Sequence, residues 1–177
     1  MTSPRLRFVL LNVLGGLAVL ASYGIGLASH TGSAAALWGG VPLALRPLYT
    51  ASMLAAAAGY FCFTSFVLLR VPTAGVRFFG RFGFPLLEWL YAVVLVPSAA
   101  WMPLTLAYLD RPSRALWWLI RFDLALVGLG SLGLLAALVV SDLDRSTVHY
   151  RLAVLGLVAF CFQTAVLDAV IWPALFR

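Results

Sequence analysis

The sequence predicts an all-α integral membrane protein, a five-helix transmembrane bundle in which residues 1–177 form a single domain. Three observations lead there. Hydrophobic residues make up 63% of the chain and charged residues only 10%, whereas a soluble domain carries roughly 25% charged residues. Five apolar stretches reach the roughly 20 residues that a helix needs to cross the hydrocarbon core. At 177 residues, the chain has no room for a second domain beside such a bundle.

The first spanning helix is expected over Phe8–Ser29. With Arg5 and Arg7 before it the segment resembles a secretory leader, but its apolar stretch is longer than a usual signal core. The second covers Pro47–Leu69, with Pro47 suited to a first helical turn. The third, Pro85–Tyr108, contains Pro97 and Pro103. Each proline removes a backbone hydrogen bond and crowds the preceding turn, so a bend is expected near Trp101. The fourth is Arg114–Val140 and the fifth Tyr150–Trp172. The connections are a long first loop (30–46), an Arg- and Phe-rich second loop (70–84), a tight Asp110–Ser113 hairpin and a polar fourth loop (141–149).

All twelve basic residues are arginine. Without lysine there is no Schiff-base chemistry and no P-loop. Seven arginines (Arg5, Arg7, Arg70, Arg77, Arg81, Arg145, Arg151) fall on the N-terminal side of the five spans. Four (Arg46, Arg111, Arg114, Arg177) fall on the other. Basic residues favour the cytoplasmic side, so the expected location is a bacterial inner membrane with a cytoplasmic N-terminus. Cys62 and Cys161, each inside an apolar run, read as buried packing thiols. His30 and His149 lie at opposite membrane faces and cannot jointly clamp a haem, and no metal site is expected. Gly128–Gly133 matches G-x-G-x-x-G, but no strand precedes it. In mid-bilayer these glycines, with Ala55 and Gly59, instead suit close helix approach.

Ionisable residues inside a bilayer cost several kcal/mol, roughly, and mark candidate sites. There are four. Arg121 and Asp123 on helix 4 and Asp168 on helix 5 approach the face that carries the first loop. Glu88 lies toward the opposite face, near Arg77 and Arg81, and reads as a residue reaching for the headgroups. Arg121 and Asp123, two apart, point to different sides of their helix. The natural partner for Arg121 is therefore Asp168, facing the bundle interior. Trp89, Trp117 and Trp118, near helix ends, suit interfacial belts, while Trp101 is deeper.

Three segments resemble the TspO/MBR family, the tryptophan-rich sensory proteins related to the mitochondrial translocator protein. Trp38-Gly-Gly-Val-Pro-Leu-Ala-Leu-Arg-Pro47 resembles W-x-P-P-x-W-V-x-G-P, with Tyr49 where the family usually has tryptophan and Gly59-Tyr60 resembling a displaced small-aromatic pair. Ser98-Ala-Ala-Trp-Met-Pro103 resembles N-x-x-W-x-P, with Ser98 in place of asparagine. Leu167-Asp-Ala-Val-Ile-Trp172 resembles L-N-x-x-x-W, with Asp168 in place of asparagine. The paired prolines of the first loop are lost, so the chain looks like a divergent member.

The resemblance implies an intramembrane pocket capped by the first loop that takes porphyrins, sterols or other flat apolar molecules. No cofactor is required beyond a possible bound porphyrin or lipid. By position, Trp38, Tyr49, Trp101, Pro103, Asp168 and Trp172 would form the cap and pocket. Arg46 and Arg121 suit a ligand carboxylate.

Three functions remain open. The first is a binding protein or sensor for a flat hydrophobic molecule (porphyrin-, sterol- or isoprenoid-like). The second is a small membrane enzyme in which Asp168, Asp123 or Glu88 protonates an isoprenoid or lipid, since a carboxyl group taken out of water favours its neutral acid form. The third is an accessory subunit of a larger membrane complex. The partners expected are the bilayer, a hydrophobic ligand and a second copy in a homodimer, and not nucleic acid.

Overall fold

The computed structural model describes residues 3–30, 32 and 34–176. Thr31 and Ser33 of the first loop, and Arg177 of the arginine count, lie outside the described residues. Five helices are long and apolar enough to cross a membrane: α1 (Pro4–Ser29), α2 (Arg46–Arg70), α3 (Pro85–Asp110), α4 (Arg114–Val139) and α5 (Val148–Leu175). The chain is thus an all-α five-helix bundle and an integral membrane protein.

Local chemistry sets the helix starts. The hydroxyl oxygens of Ser3, Ser113 and Thr147 accept the backbone N–H of Leu6, Leu116 and Tyr150, each at 3.2 Å. These caps satisfy donors that the first turn leaves free. Ser3, with Pro4 at the first helical position, starts α1 four residues before the apolar run. Prolines likewise open α2 and α3. α3 continues as one helix through both Pro97 and Pro103.

The helices form a ring in which α1 packs on α3, α3 on α4, α4 on α5 and α5 on α2. α1 and α3 run parallel, and their contacts keep a constant stagger along the bilayer. Arg7 meets Glu88 at 3.2 Å, the Tyr23 ring stacks on Trp101, and His30 meets Asp110 at 3.4 Å. This parallel packing gives Glu88 a cationic partner in Arg7 on α1, which the sequence did not single out. The ring closes between α2 and α1 where the Tyr60 hydroxyl donates to Asn12 Oδ1 at 2.6 Å.

Glycines set the closest crossings. Gly59 of α2 and Gly156 of α5 lie backbone to backbone, and a Cβ added at Gly156 would come 2.8 Å from the Gly59 carbonyl oxygen. On α4, Gly128 faces the backbone of Ala165, Gly130 faces Val94 and Gly133 faces Leu90. These contacts are the packing expected of small residues in membrane helices; Ala55 instead faces outward. Next to Gly128, the Ser131 and Thr164 hydroxyls bond at 2.7 Å and tie α4 to α5.

Two apolar clusters fill the ring. One lies toward the N-terminal face around Phe8, Phe63, Phe84 and Tyr91, and the second loop contributes Val71, Val76 and Phe78 to it. That loop folds back at Phe79 and Gly80, both with positive φ. Its Arg77 N–H donates to Asp142 Oδ1 of the fourth loop at 3.1 Å. The other cluster lies under the first loop. Leucines such as Leu14, Leu20, Leu54 and Leu155 face outward, as a lipid solvent allows. Trp89 (73% exposed) and Trp118 (59%) sit on that outer surface near opposite ends. The cysteines divide: Cys161 is buried, but Cys62 is exposed beside Phe61, on the face of α2 turned away from the bundle. The expectation of two buried thiols therefore holds for Cys161 alone.

A leucine at Gly156 would have to displace the backbone of α2. Gly156→Leu is expected to lower stability by at least about 1–3 kcal/mol, read as an earlier loss of helicity on heating in detergent. Gly16→Leu, where nothing lies within 4 Å, is expected to melt like the parent. Equal melting of the two variants would show that the α2–α5 crossing is not tight.

Candidate functional site

The second apolar cluster is a nest of aromatic rings closed by the first loop. Short 3₁₀ turns at Ala36–Trp38 and Leu43–Leu45 shape the loop. Trp172 on α5 fastens it, its indole N–H donating to the Leu37 carbonyl at 3.0 Å. Gly39, with φ of 54°, lies against Phe176, and Gly40 lies against the Leu175 carbonyl. Val41 is fully inside. The chain can cross this closely above α5 because neither glycine carries a side chain.

Beneath the loop, Trp38 meets Tyr49 edge-on at 6.3 Å, and Trp101 meets Trp172 edge-on at 5.7 Å. Trp117 and Phe176 stack at 5.5 Å, and both touch Tyr108 and Trp172. Trp117 therefore belongs to the nest and not to a belt with Trp89 and Trp118. It lies at the start of α4, on the face turned to Tyr108 of α3 and the end of α5.

α5 changes form as it enters this region. Residues Phe162–Ile171 are wound as a π-helix, between an α-helix over Val148–Cys161 and a last α turn at Trp172–Leu175. Its i→i+5 bonding brings residues five apart onto one face. Gln163 and Asp168 are such a pair, and the Gln163 amide donates to Asp168 Oδ1 at 2.7 Å. The Leu167 carbonyl accepts both the Trp172 backbone N–H and, at 3.4 Å, the Tyr49 hydroxyl of α2. Pro173 follows directly; its ring would crowd the carbonyl four residues earlier in a tight α turn, and the wider winding relieves that crowding.

A polar layer results, with a contribution from every helix. Tyr23 of α1 stacks on Trp101 of α3, with ring centroids 5.7 Å apart and planes 28° from parallel. Tyr23 also lies within electrostatic reach of Asp168 of α5 and Asp123 of α4, and Tyr49 of α2 within reach of Asp168. Asp123 is only 5% exposed and Gln163 only 4%. Asp123 Oδ2, Gln163 Oε1, Trp101 Nε1 and the nearby Thr105 Oγ1 are buried with no hydrogen-bond partner. Buried polar atoms normally have partners, so this concentration of unmet acceptors and donors singles out the layer.

The residues singled out in the sequence divide accordingly. Trp38, Tyr49, Trp101, Asp168 and Trp172 come together at this end of the bundle, and Asp123 joins them. Pro103 faces outward. Arg46 lies over the Trp38 ring at 5.4 Å and donates to the Val41 carbonyl, bracing the loop. Arg121 is exposed and lies over Trp118 at 4.9 Å, so the expected Arg121–Asp168 pair does not form. Glu88 is at the opposite end with Arg7.

Tyr23, Gln163, Tyr108, Trp117 and Phe176 complete the region without having been marked in the sequence. For Gln163 the signal is an amide five residues before Asp168, which is meaningful only in a π-helix. Surface hollows between α2 and α5, the larger of about 360 Å³, lie at the other end near Arg70 and His149. Among the described residues no group of three or more His, Cys, Asp and Glu side chains is arranged to hold a metal. Comparison with protein-family models, with curated proteins and with solved structures gave no match.

Trp172→Phe keeps an aromatic ring but deletes the N–H that holds Leu37. A net hydrogen bond is worth about 0.5–1.5 kcal/mol, so amide hydrogen exchange across residues 36–45 is expected to quicken by roughly two- to ten-fold. Unchanged exchange would mean that ring packing alone holds the loop.

Proposed function

We propose that this chain is a membrane-embedded binding protein of the TspO/MBR kind, a receptor for a flat hydrophobic small molecule held between the helices under the first loop. A porphyrin-, sterol- or isoprenoid-like body suits walls of aromatic rings with a few polar groups. The observation that carries this reading is the meeting of Trp38, Tyr49, Trp101 and Trp172 with Asp168 beneath a fastened loop. Those are residues that the family resemblance marks, drawn from the first loop and three helices. The rings touch one another, so a ligand would part them. The Tyr23–Trp101 stack is the natural place, since α1 buries little of itself, chiefly Phe8 and Gly26, and Tyr23 is partly open to the lipid.

Four of the six tryptophans belong to the aromatic nest, so intrinsic fluorescence reports on it directly. Titrating the detergent-purified protein with protoporphyrin IX dimethyl ester, a flat macrocycle without free carboxylates, is expected to give saturable quenching. Trp101→Phe is expected to weaken binding by about five-fold, the worth of one aromatic contact. Quenching that does not saturate, or an unchanged affinity in the variant, would overturn the reading.

We also propose that the protein lies in a bacterial inner membrane with its N-terminus in the cytoplasm, supported by the seven-to-four arginine bias. With five spans, a C-terminal alkaline phosphatase fusion is then expected to be active and a C-terminal green fluorescent protein fusion dark. The reverse pattern would invert the topology.

A further inference from the structure

The electrostatics of the polar layer select among flat apolar ligands. Asp123 and Asp168 lie inside the bilayer-spanning region, and no arginine or histidine among the described residues pairs with either. Two arginines at this end of the bundle are engaged elsewhere, Arg46 on Trp38 and Arg121 on Trp118. A carboxyl group held away from water without a cation needs its charge offset from outside the protein, by a proton or by a bound positive group.

Two acceptors of the layer also stand without a donor. Asp168 Oδ1 takes the Gln163 amide, while Gln163 Oε1 and Asp123 Oδ2 are buried and unpartnered. Gln163 is 4% exposed, and its amide nitrogen already sits on Asp168, so its free oxygen opens beside the carboxylate. Around these acceptors stand the Tyr23, Tyr49 and Trp101 rings, whose negative faces attract cations. An anionic ligand would meet two carboxyl groups with which no arginine among the described residues is paired.

We infer that the molecule bound here carries a positive charge: it is a protonated amine or similar organic cation on a flat apolar body, with the cationic group beside the hydrogen-bonded Asp168–Gln163 pair, in the layer to which Asp123 also belongs. The inference rests on the binding reading above and specifies its ligand class. It reverses the role that the sequence suggests for the arginines, because a ligand carboxylate has nothing to meet at this level.

The test uses three flat probes of similar size in phosphatidylcholine nanodiscs, read by tryptophan quenching after subtraction of protein-free discs: 9-aminoacridine (a cation at neutral pH), 9-methylanthracene (neutral) and anthracene-9-carboxylate (an anion). The cation is expected to bind at least about ten-fold more tightly than the neutral probe, and the anion most weakly. Asp168→Asn and Asp123→Asn are each expected to reduce cation affinity by about ten-fold while leaving the neutral probe within about two-fold. Asp168→Glu is expected to retain the preference.

A neutral or anionic probe that binds as tightly as the cation, or asparagine variants that bind the cation like the parent, would overturn the charge inference and leave the hydrophobic pocket standing. Failure of all three probes and of the protoporphyrin dimethyl ester would remove both. Should an asparagine variant lose helicity, the ranking of the three probes on the parent protein decides alone.

Discussion

A helix in hydrocarbon has no water to satisfy what its neighbours leave unpaired, and the arrangement of this bundle follows from where its few polar side chains find partners. Arg7 meets Glu88, Asn12 meets Tyr60, Thr64 meets Tyr91, and Ser131 meets Thr164. Each pair joins two helices, and together they tie α1 to α2 and α3, α2 to α3, and α4 to α5. Individual hydrogen bonds of this kind contribute only about 0.6 kcal/mol on average. Their larger effect is on register, because sliding one helix would strand both members of a pair in lipid. Glycine crossings such as Gly59–Gly156 then bring backbones close enough for dispersion forces to hold the ring.

The two ends of the bundle use this constraint differently. Toward the N-terminal face, the second loop folds inward, packing Val71, Val76 and Phe78 into the core and bonding to the fourth loop through Arg77 and Asp142. Polar groups there are mostly matched. Toward the other face, the first loop is fastened by Trp172 over stacked rings, and the layer below it keeps Asp123, Gln163 and Trp101 with unmet hydrogen-bonding atoms. Of the buried polar atoms without partners among the described residues, only Glu88 Oε1 lies toward the N-terminal face, so the unmet groups concentrate under the first loop. Unmatched groups are tolerated in native proteins mainly where a ligand, an ion or water completes them.

The π-helical stretch of α5 connects backbone geometry to that chemistry. In an α-helix, Gln163 and Asp168 would point to different sides; under i→i+5 bonding they share one face and form a hydrogen-bonded pair. The same winding presents the Leu167 carbonyl to Tyr49 and brings Trp172 under Leu37. One change in helical winding thus sets the carboxylate, the loop fastening and the link to α2 together.

Much of the fold was legible in the sequence, because hydrocarbon imposes a simple rule on composition: about 20 apolar residues per span, bounded by prolines, caps and arginines. The helix limits therefore fell close to those observed, and the glycines of α4 announced close packing. The motif resemblance pointed to Trp38, Tyr49, Trp101, Asp168 and Trp172, and the fold brings these five to one end of the bundle. What composition could not say is which face of a helix meets which neighbour. Arg121 reads as a partner for Asp168 until the ring order turns it outward onto Trp118. Trp117 reads as a belt residue until Tyr108 and Phe176 enclose it. Glu88 acquires Arg7 only because α1 and α3 run parallel. Gln163 gains meaning only from a π-helix that no α periodicity anticipates. The sequence alone determined that five helices cross the membrane, since that depends on transfer free energies summed residue by residue. The tertiary structure alone decided which polar groups remain unpaired, since that depends on rotations about five helix axes set jointly by packing.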